Sequence, residues 1–326
     1  MKVVLLPSVR FSSLPGLVKD FPDVTFEQVS APEELGGALP GAEILMITNR
    51  LYTPEVAKIV ADAGTELRWI QFATSGIDKA IKNGLPGGIP VTNVGGIHGP
   101  VISEHAMHLL LGLFRRAREV EQARAQGKWI RDEISPKIRV LDGATLVVVG
   151  LGSIGRAVAK KAEVFGMHVI AVTREGQPGD GVAETMGRER FAEALERADA
   201  VVMCLPLTTE THHMLGAKEI GQMKPGAFVV NVCRGGVIDQ DALIEALNQG
   251  RIAGAGLDVV EEEPLAPDHA LWRMDNVLIS PHISGAGGDR SDAVAEIFAA
   301  NLRRYLAGEA LERVVYRDGP MGVAGA

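Results

Sequence analysis

The chain has 326 residues, 46% of them hydrophobic, a net charge of −8 and an isoelectric point near 5.6. Single cores seldom grow beyond about 250 residues, so two packed domains are expected. The acidic balance argues against nucleic-acid and anionic-membrane partners, and no apolar run approaches the ~18 residues of a membrane span. Cys204 and Cys233 carry no paired motif, which leaves no disulfide framework or zinc ribbon. The N-terminal MKVVLLPSVRFSS has a short apolar run with no cleavage pattern, so it reads as a first strand rather than a signal peptide. The expected setting is the cytoplasm.

Along the chain, KVVLLP, VTFEQV, EILMIT, LRWIQFA and PVTNV read as buried parallel strands separated by helical sequence such as TPEVAKIVADAG. After Pro100, VISEHAMHLLLGLFRRAREVEQARAQG has apolar residues at spacings of three and four and predicts one long helix. A second alternating unit follows, with ATLVVVG, HVIAVT, AVVMCLPL, AFVVNVC, GAGLDVV and VLISP as strands. A closing helix, DRSDAVAEIFAANLRRYLAG, leads to a loose tail, GPMGVAGA. Parallel strands with helical crossovers define an α/β protein of two doubly wound parallel-sheet domains. The expected domains are a discontinuous substrate domain, 1–98 with 289–326, and a dinucleotide-binding domain, 99–288.

VVVGLGSIGRAVAKKAEVFG carries Gly150, Gly152 and Gly155 in G-x-G-x-x-G spacing. The spacing alone is weak, but here it directly follows an apolar strand and opens an apolar-periodic helix. Gly150 permits the turn, Gly152 lets backbone approach a pyrophosphate, and Gly155 lets helix and strand pack closely. Ser153 and Ile154 begin the helix, whose N–H groups then face the phosphates. The expected fold is thus a Rossmann cofactor domain inserted in a flavodoxin-like substrate domain. HVIAVT ends on Thr173, with Arg174 next, where an acidic residue would bind the ribose 2′-hydroxyl of NAD. Arginine suits a 2′-phosphate, so NADP is the expected preferred cofactor, with NAD as the second.

Three later motifs follow strand ends: NVCRGGVID gives Arg234, LDVVEEEP gives Glu263 and SPHISG gives His282. In open α/β sheets the crevice lies at the carboxyl ends of strands, so the three can converge. Arg234 can anchor a carboxylate and polarise a ketone, and His282 can donate a proton to the developing alkoxide. Glu263 can orient the imidazole through its other nitrogen. Taken singly, Arg234 also suits a helix cap or phosphate ligand, Glu263 a solvated acidic run, and His282 a turn.

GLGSIG, LPLTTETHHMLG, MKPGAFVVNVCRGGVID, AGAGLDVVEEEPL and NVLISPHISG together resemble the D-isomer-specific 2-hydroxyacid dehydrogenase family, densely from about Val94 to Gly288. The resemblance implies an Arg–Glu–His catalytic set, a small 2-oxo acid substrate such as glyoxylate or hydroxypyruvate, and a homodimer. It also implies that Ser75 and Gly76, in ATSGID, hold the substrate carboxylate. Leu205, Pro206, Thr211, Val232, Cys233, Asp258 and Gly285 then match contacts on the nicotinamide or ribose side, as does His282. Arg50, ending ILMITNR, is a candidate to meet a second anionic group of a substrate, with a surface arginine as the alternative. The alternative is a dinucleotide-sensing, non-catalytic interaction protein of the same fold. His105 and His108, three apart, and the adjacent His212 and His213 lack convincing ligand spacing for a metal. Trp129 either reaches a dimer neighbour or pins its own loop.

Overall fold

The computed structural model describes residues 1–6, 12–176, 182–287 and 291–317. The front segment carries β1 (Lys2–Leu6), β2 (Thr25–Gln28), β3 (Ile44–Ile47), β4 (Trp69–Phe72) and β5 (Val91–Thr92). Between them run α1 (Leu14–Asp20), α2 (Leu35–Ala38), α3 (Pro54–Ala63) and α4 (Asp78–Asn83). α3 shows the local code plainly: Pro54 opens it and the Thr53 side chain accepts the Val56 N–H.

The middle of the chain begins with α5 (Gly99–Phe114), α6 (Ala117–Ala125) and α7 (Arg131–Ile134). There follow β6 (Thr145–Val149), α8 (Ser153–Val164), β7 (His168–Thr173), β8 (Glu184–Gly187), α9 (Phe191–Arg197) and β9 (Ala200–Met203). Then come α10 (Ala217–Gln222), β10 (Ala227–Asn231), α11 (Gln240–Asn248), β11 (Ile252–Leu257) and β12 (Val277–Ile279). The chain finishes with α12 (Ser291–Leu306) and β13 (Val314–Tyr316).

These elements form two compact units, Met1–Ile97 with Gly288–Ala326, and His98–Gly287. The first has strand order β2-β1-β3-β4-β5-β13, whose first five strands follow the flavodoxin-like order. Val4 and Leu6 pack with Leu35, Val56 and Ala80 on one face of this sheet. Val3 and Leu5 pack with Leu17, Phe298 and Leu302 on the other, where Trp69 stacks on Phe298 with ring centroids 5.2 Å apart. At one edge of this otherwise parallel sheet, β13 pairs antiparallel with β5. It covers an edge that the two-residue β5 would otherwise leave open.

The second unit has the order β8-β7-β6-β9-β10-β11-β12, parallel throughout. Alternation along β6 sends Val147 and Val149 toward Leu195, Ile220 and Leu243, and Leu146 and Val148 toward Leu110 and Val158. Helices therefore cover both faces, as strands with no polar face require. The winding reverses between β6 and β9, the switch point where such sheets bind ligands.

Two expectations are corrected. The long helix after Pro100 is two helices, because Arg116 takes the left-handed conformation at φ 57°. Its Nε–H donates to the Lys137 carbonyl (3.3 Å), and its guanidinium lies 5.7 Å from the Phe228 ring centre. β8 lies within sequence read as a connection. The expected loose tail, GPMGVAGA, falls outside the described residues. Among the described residues no helix is long and apolar enough to cross a membrane.

Candidate active site

The turn after β6 is built for close approach. Gly150 has φ +94°, a conformation side chains rarely adopt, and its N–H donates to the Val172 carbonyl at 2.8 Å. A Cβ on Gly155 would lie 1.9 Å from the Gly150 carbonyl oxygen, so only glycine lets α8 start this near the strand. Gly152 caps α8 in extended conformation with no side-chain hydrogen bond. The N–H groups that open the helix at Ser153 and Ile154 thus meet no capping side chain, as a pyrophosphate site requires. This glycine cradle, at the switch point, fits a dinucleotide.

At the end of β7, the Thr173 hydroxyl accepts the Gly176 N–H at 2.9 Å, closing the turn that carries Arg174. The Arg174 side chain is 79% exposed, with its guanidinium 3.9 Å from Glu210. Arg188, just past β8, lies 3.6 Å from the same carboxylate. After β9, the Thr211 hydroxyl donates to the Pro206 carbonyl (2.6 Å) and accepts the Thr208 N–H (2.8 Å), folding the loop that also holds Leu205.

Asn231, Leu257 and Ile279 are aligned across β10, β11 and β12, so three strands end together. The three catalytic candidates follow those ends. Buried Asn231 braces the first turn, with its side-chain amide donating to the Arg234 carbonyl (2.9 Å) and its oxygen accepting the Cys233 N–H (3.1 Å). Val232 and Cys233 are buried, and an Arg234 Nη1–H donates to the Cys233 carbonyl at 2.6 Å. Burial pushes the Cys233 thiol up, which suits a packing role rather than a nucleophile.

His282 Nδ1 lies 2.7 Å from Glu263 Oε2. A carboxylate only accepts, so Nδ1 carries the hydrogen and Nε2 is left to face a reactant. The Glu263 hydrogen bond raises the His282 pKa above the ordinary histidine value, while partial burial and the Arg234 charge oppose it. The His282 side chain is 46% exposed, so the ring can be reached from solvent. Its backbone is left-handed at φ 55°, which costs a non-glycine residue on the order of 1 kcal/mol.

Asp258 holds that conformation. Its backbone carbonyl accepts the His282 N–H (2.8 Å), and its carboxylate accepts from Ile283 N–H and Ser284 N–H (2.9 Å each) and Ser280 Oγ–H (2.6 Å). Burial alone would push the Asp258 carboxyl up, but the hydrogen bonds outweigh it and hold it below the usual range. Gly285, just beyond, lies beside the His98 ring.

Sequence reasoning missed Asn231, Ser280 and the place of His105. A polar residue ending an apolar strand run was the available signal for Asn231. His105 Nε2 lies 2.7 Å from Ser280 Oγ, and no cluster able to hold a metal occurs among the described residues. His213 pairs with Glu261 at 2.7 Å and its ring lies 3.9 Å from that of His212. Within the first unit, Ser75 and Gly76 follow β4, where the Asn93 side chain donates to the Ser75 carbonyl (2.5 Å) and Thr74 to that of Gly76 (3.0 Å). Arg50 follows β3 and is exposed. Trp129 is 92% exposed, so it does not pin its own loop.

A glycine cradle at the switch point of a seven-stranded sheet of order 3-2-1-4-5-6-7, with an imidazole–carboxylate pair at the strand ends, defines a dinucleotide-dependent oxidoreductase. Residues 107–284 match the family model "D-isomer specific 2-hydroxyacid dehydrogenase, NAD binding domain". The chain belongs to the D-isomer specific 2-hydroxyacid dehydrogenase family and is by class an NAD(P)-dependent dehydrogenase. It is 38% identical over 276 residues to a glyoxylate reductase of Thermococcus litoralis, covering 82% of each chain. A family member from Aeromonas salmonicida superposes with TM-score 0.84 at 32% identity, covering 97% of this chain and 98% of that one. A second, from Xanthobacter autotrophicus in complex with NADPH and MES, gives TM-score 0.79 at 26% identity, covering 96% and 98%.

Proposed function

We propose that this protein reduces small 2-oxo acids of the glyoxylate or hydroxypyruvate type to D-2-hydroxy acids, with NADPH preferred over NADH. The observation that carries the reading is the 2.7 Å contact between His282 Nδ1 and Glu263. It commits Nδ1–H to Glu263 and leaves Nε2 available to a reactant among the strand ends. The nicotinamide, when bound, supplies the hydride. His282 then donates its Nε2 proton to the oxygen that becomes the alcohol, and Glu263 keeps the ring oriented and favours its charged form. Arg234 holds the substrate carboxylate and draws charge toward the carbonyl oxygen.

The Gly150–Gly155 cradle would hold the pyrophosphate, and Thr173 with Arg174 the 2′-phosphate. Leu205, Pro206, Thr211, Val232, Cys233, Asp258 and Gly285 are proposed contacts on the nicotinamide and ribose side. From the first unit, Ser75, Gly76 and Arg50 are proposed substrate contacts. The glyoxylate reductase among the relatives supports the substrate class, and the NADPH-bound neighbour supports the cofactor. A homodimer is proposed as well, for which exposed Trp129 is an available contact. A chain that only sensed dinucleotides would have no use for an acid–base pair at the strand ends.

Initial rates with glyoxylate and hydroxypyruvate, each with NADPH and NADH, test the reading. NADPH should give the higher kcat/KM. Arg174→Ala should cut that value about 10- to 100-fold, since hydrogen bonds to charged groups are worth about 1.5–3 kcal/mol. The NADH value should stay as it was. A wild-type preference for NADH would sink the NADP assignment, and no turnover with any 2-oxo acid would sink the activity.

A further inference from the structure

His105 and Ser280 are not used by the mechanism above, yet they stand behind the residue that braces the proton donor. His105 projects from α5 with its side chain only 18% exposed. Its Nε2 is 2.7 Å from Ser280 Oγ and 3.5 Å from Asp258 Oδ1. Ser280 Oγ is in turn 2.6 Å from Asp258 Oδ1. The ionised Asp258 can only accept, so the hydroxyl hydrogen points at it, and the hydroxyl oxygen must accept from His105 Nε2–H. The direction of the chain is therefore fixed: His105 donates to Ser280, and Ser280 donates to Asp258.

Asp258 spends its remaining carboxylate capacity on Ile283 N–H and Ser284 N–H, the two residues after His282. Its backbone carbonyl takes the His282 N–H. The anchors thus bracket His282 on both sides and over-determine a left-handed backbone that an isolated loop would abandon.

We infer that His105 is a positioning residue for the proton donor, acting through Ser280 and Asp258 to hold His282 where its Nδ1 meets Glu263. A buried polar chain of this kind rigidifies when every member is satisfied and loosens when one is removed. Taking away the His105 donor leaves Ser280 free to turn away from Asp258, and the carboxylate can then shift off the Ile283 and Ser284 amides. The inference rests on the reading of His282 as the proton donor.

The charged groups facing His282 are Glu263, Arg234 and Asp258; those facing His105 are Asp258 and His108. Burial lowers the His105 pKa, the Asp258 charge opposes that, and His108 adds to the lowering. Reduction needs His282 protonated, so its rate falls as pH rises through the His282 pKa. A loosened Glu263 contact lowers that pKa and moves the alkaline limb to lower pH.

The test measures kcat against pH for 2-oxo acid reduction in wild type, His105→Ala, His105→Gln, Ser280→Ala and Ser280→Thr, with folding checked by circular dichroism. His105→Ala and Ser280→Ala should each lower kcat about tenfold, as small misplacements of a catalytic group do, and shift the alkaline limb downward. The dinucleotide KM should change less than kcat, because the glycine cradle proposed to hold the pyrophosphate is untouched. His105→Gln keeps a donor near the Nε2 position and Ser280→Thr keeps the hydroxyl, so both variants should recover most of kcat and the limb. Folded His105→Ala and Ser280→Ala proteins with the wild-type limb would overturn the inference, whatever their kcat. If His105→Ala does not fold, the Ser280 pair decides alone. An active His282→Ala variant would instead overturn the proton-donor reading itself.

Discussion

Replacing His282 with alanine is expected to lower kcat for 2-oxo acid reduction by about 10²–10⁴, the range general acid–base help supplies. The reason lies in the geometry. Nδ1 is committed to Glu263 at 2.7 Å, the ring is accessible, and Asp258 fixes the backbone from both sides. The KM for the dinucleotide should change little, because the phosphate cradle after β6 is built from other residues. Steady-state kinetics with a 2-oxo acid check this, and an unchanged kcat would remove His282 from the chemistry.

Arg234→Ala should damage both parameters at once. The guanidinium is proposed to grip the carboxylate in the ground state and to stabilise charge growing on the carbonyl oxygen. Hydrogen bonds to charged groups are worth about 1.5–3 kcal/mol each, so losing a pair predicts a fall in kcat/KM of about 10²–10⁴. The split between kcat and KM is the informative part. A rise in KM alone would mean that Arg234 only binds. Arg234→Lys should recover little, since an ammonium cannot offer the planar fork. Part of the loss in either variant traces to the turn, because Arg234 also donates to the Cys233 carbonyl.

Much of this site could be read before any coordinates because it follows strand ends. Apolar runs located β10, β11 and β12, and the residue types just past them named Arg234, Glu263 and His282. The contact between Glu263 and His282 is an expectation of chemistry, and in the structure the two atoms stand 2.7 Å apart. The residues behind them were not legible in this way. His105 and His108 recur every three residues on a helix, and that pattern says nothing of a serine 175 residues away. Arg174 was visible at the end of β7, but the nearby Glu210 and Arg188 depend on how two other segments fold.

The fold's misread elements have similar physical causes. Arg115 and Arg116 interrupt a helix although RRARE holds no glycine or proline. A carbonyl from Lys137 and the Phe228 ring supply what propensity cannot indicate. β8 is four residues, ETMG, with only Met186 and Gly187 buried, too weak a pattern to stand out. β13 is three residues whose strand state comes from pairing with β5.

The most direct test of the Glu263–His282 pair as the proton-donating unit is the pH dependence of kcat/KM for 2-oxo acid reduction in wild type and Glu263→Gln. The carboxylate raises the His282 pKa, so activity should persist above the usual histidine range and fall as pH rises through the raised value. In Glu263→Gln that support is gone, and the fall should come at lower pH with a reduced maximum. Oxidation of the hydroxy acid, which needs the neutral imidazole, should show the opposite slope. Alkaline limbs at the same pH in both proteins would contradict the pair.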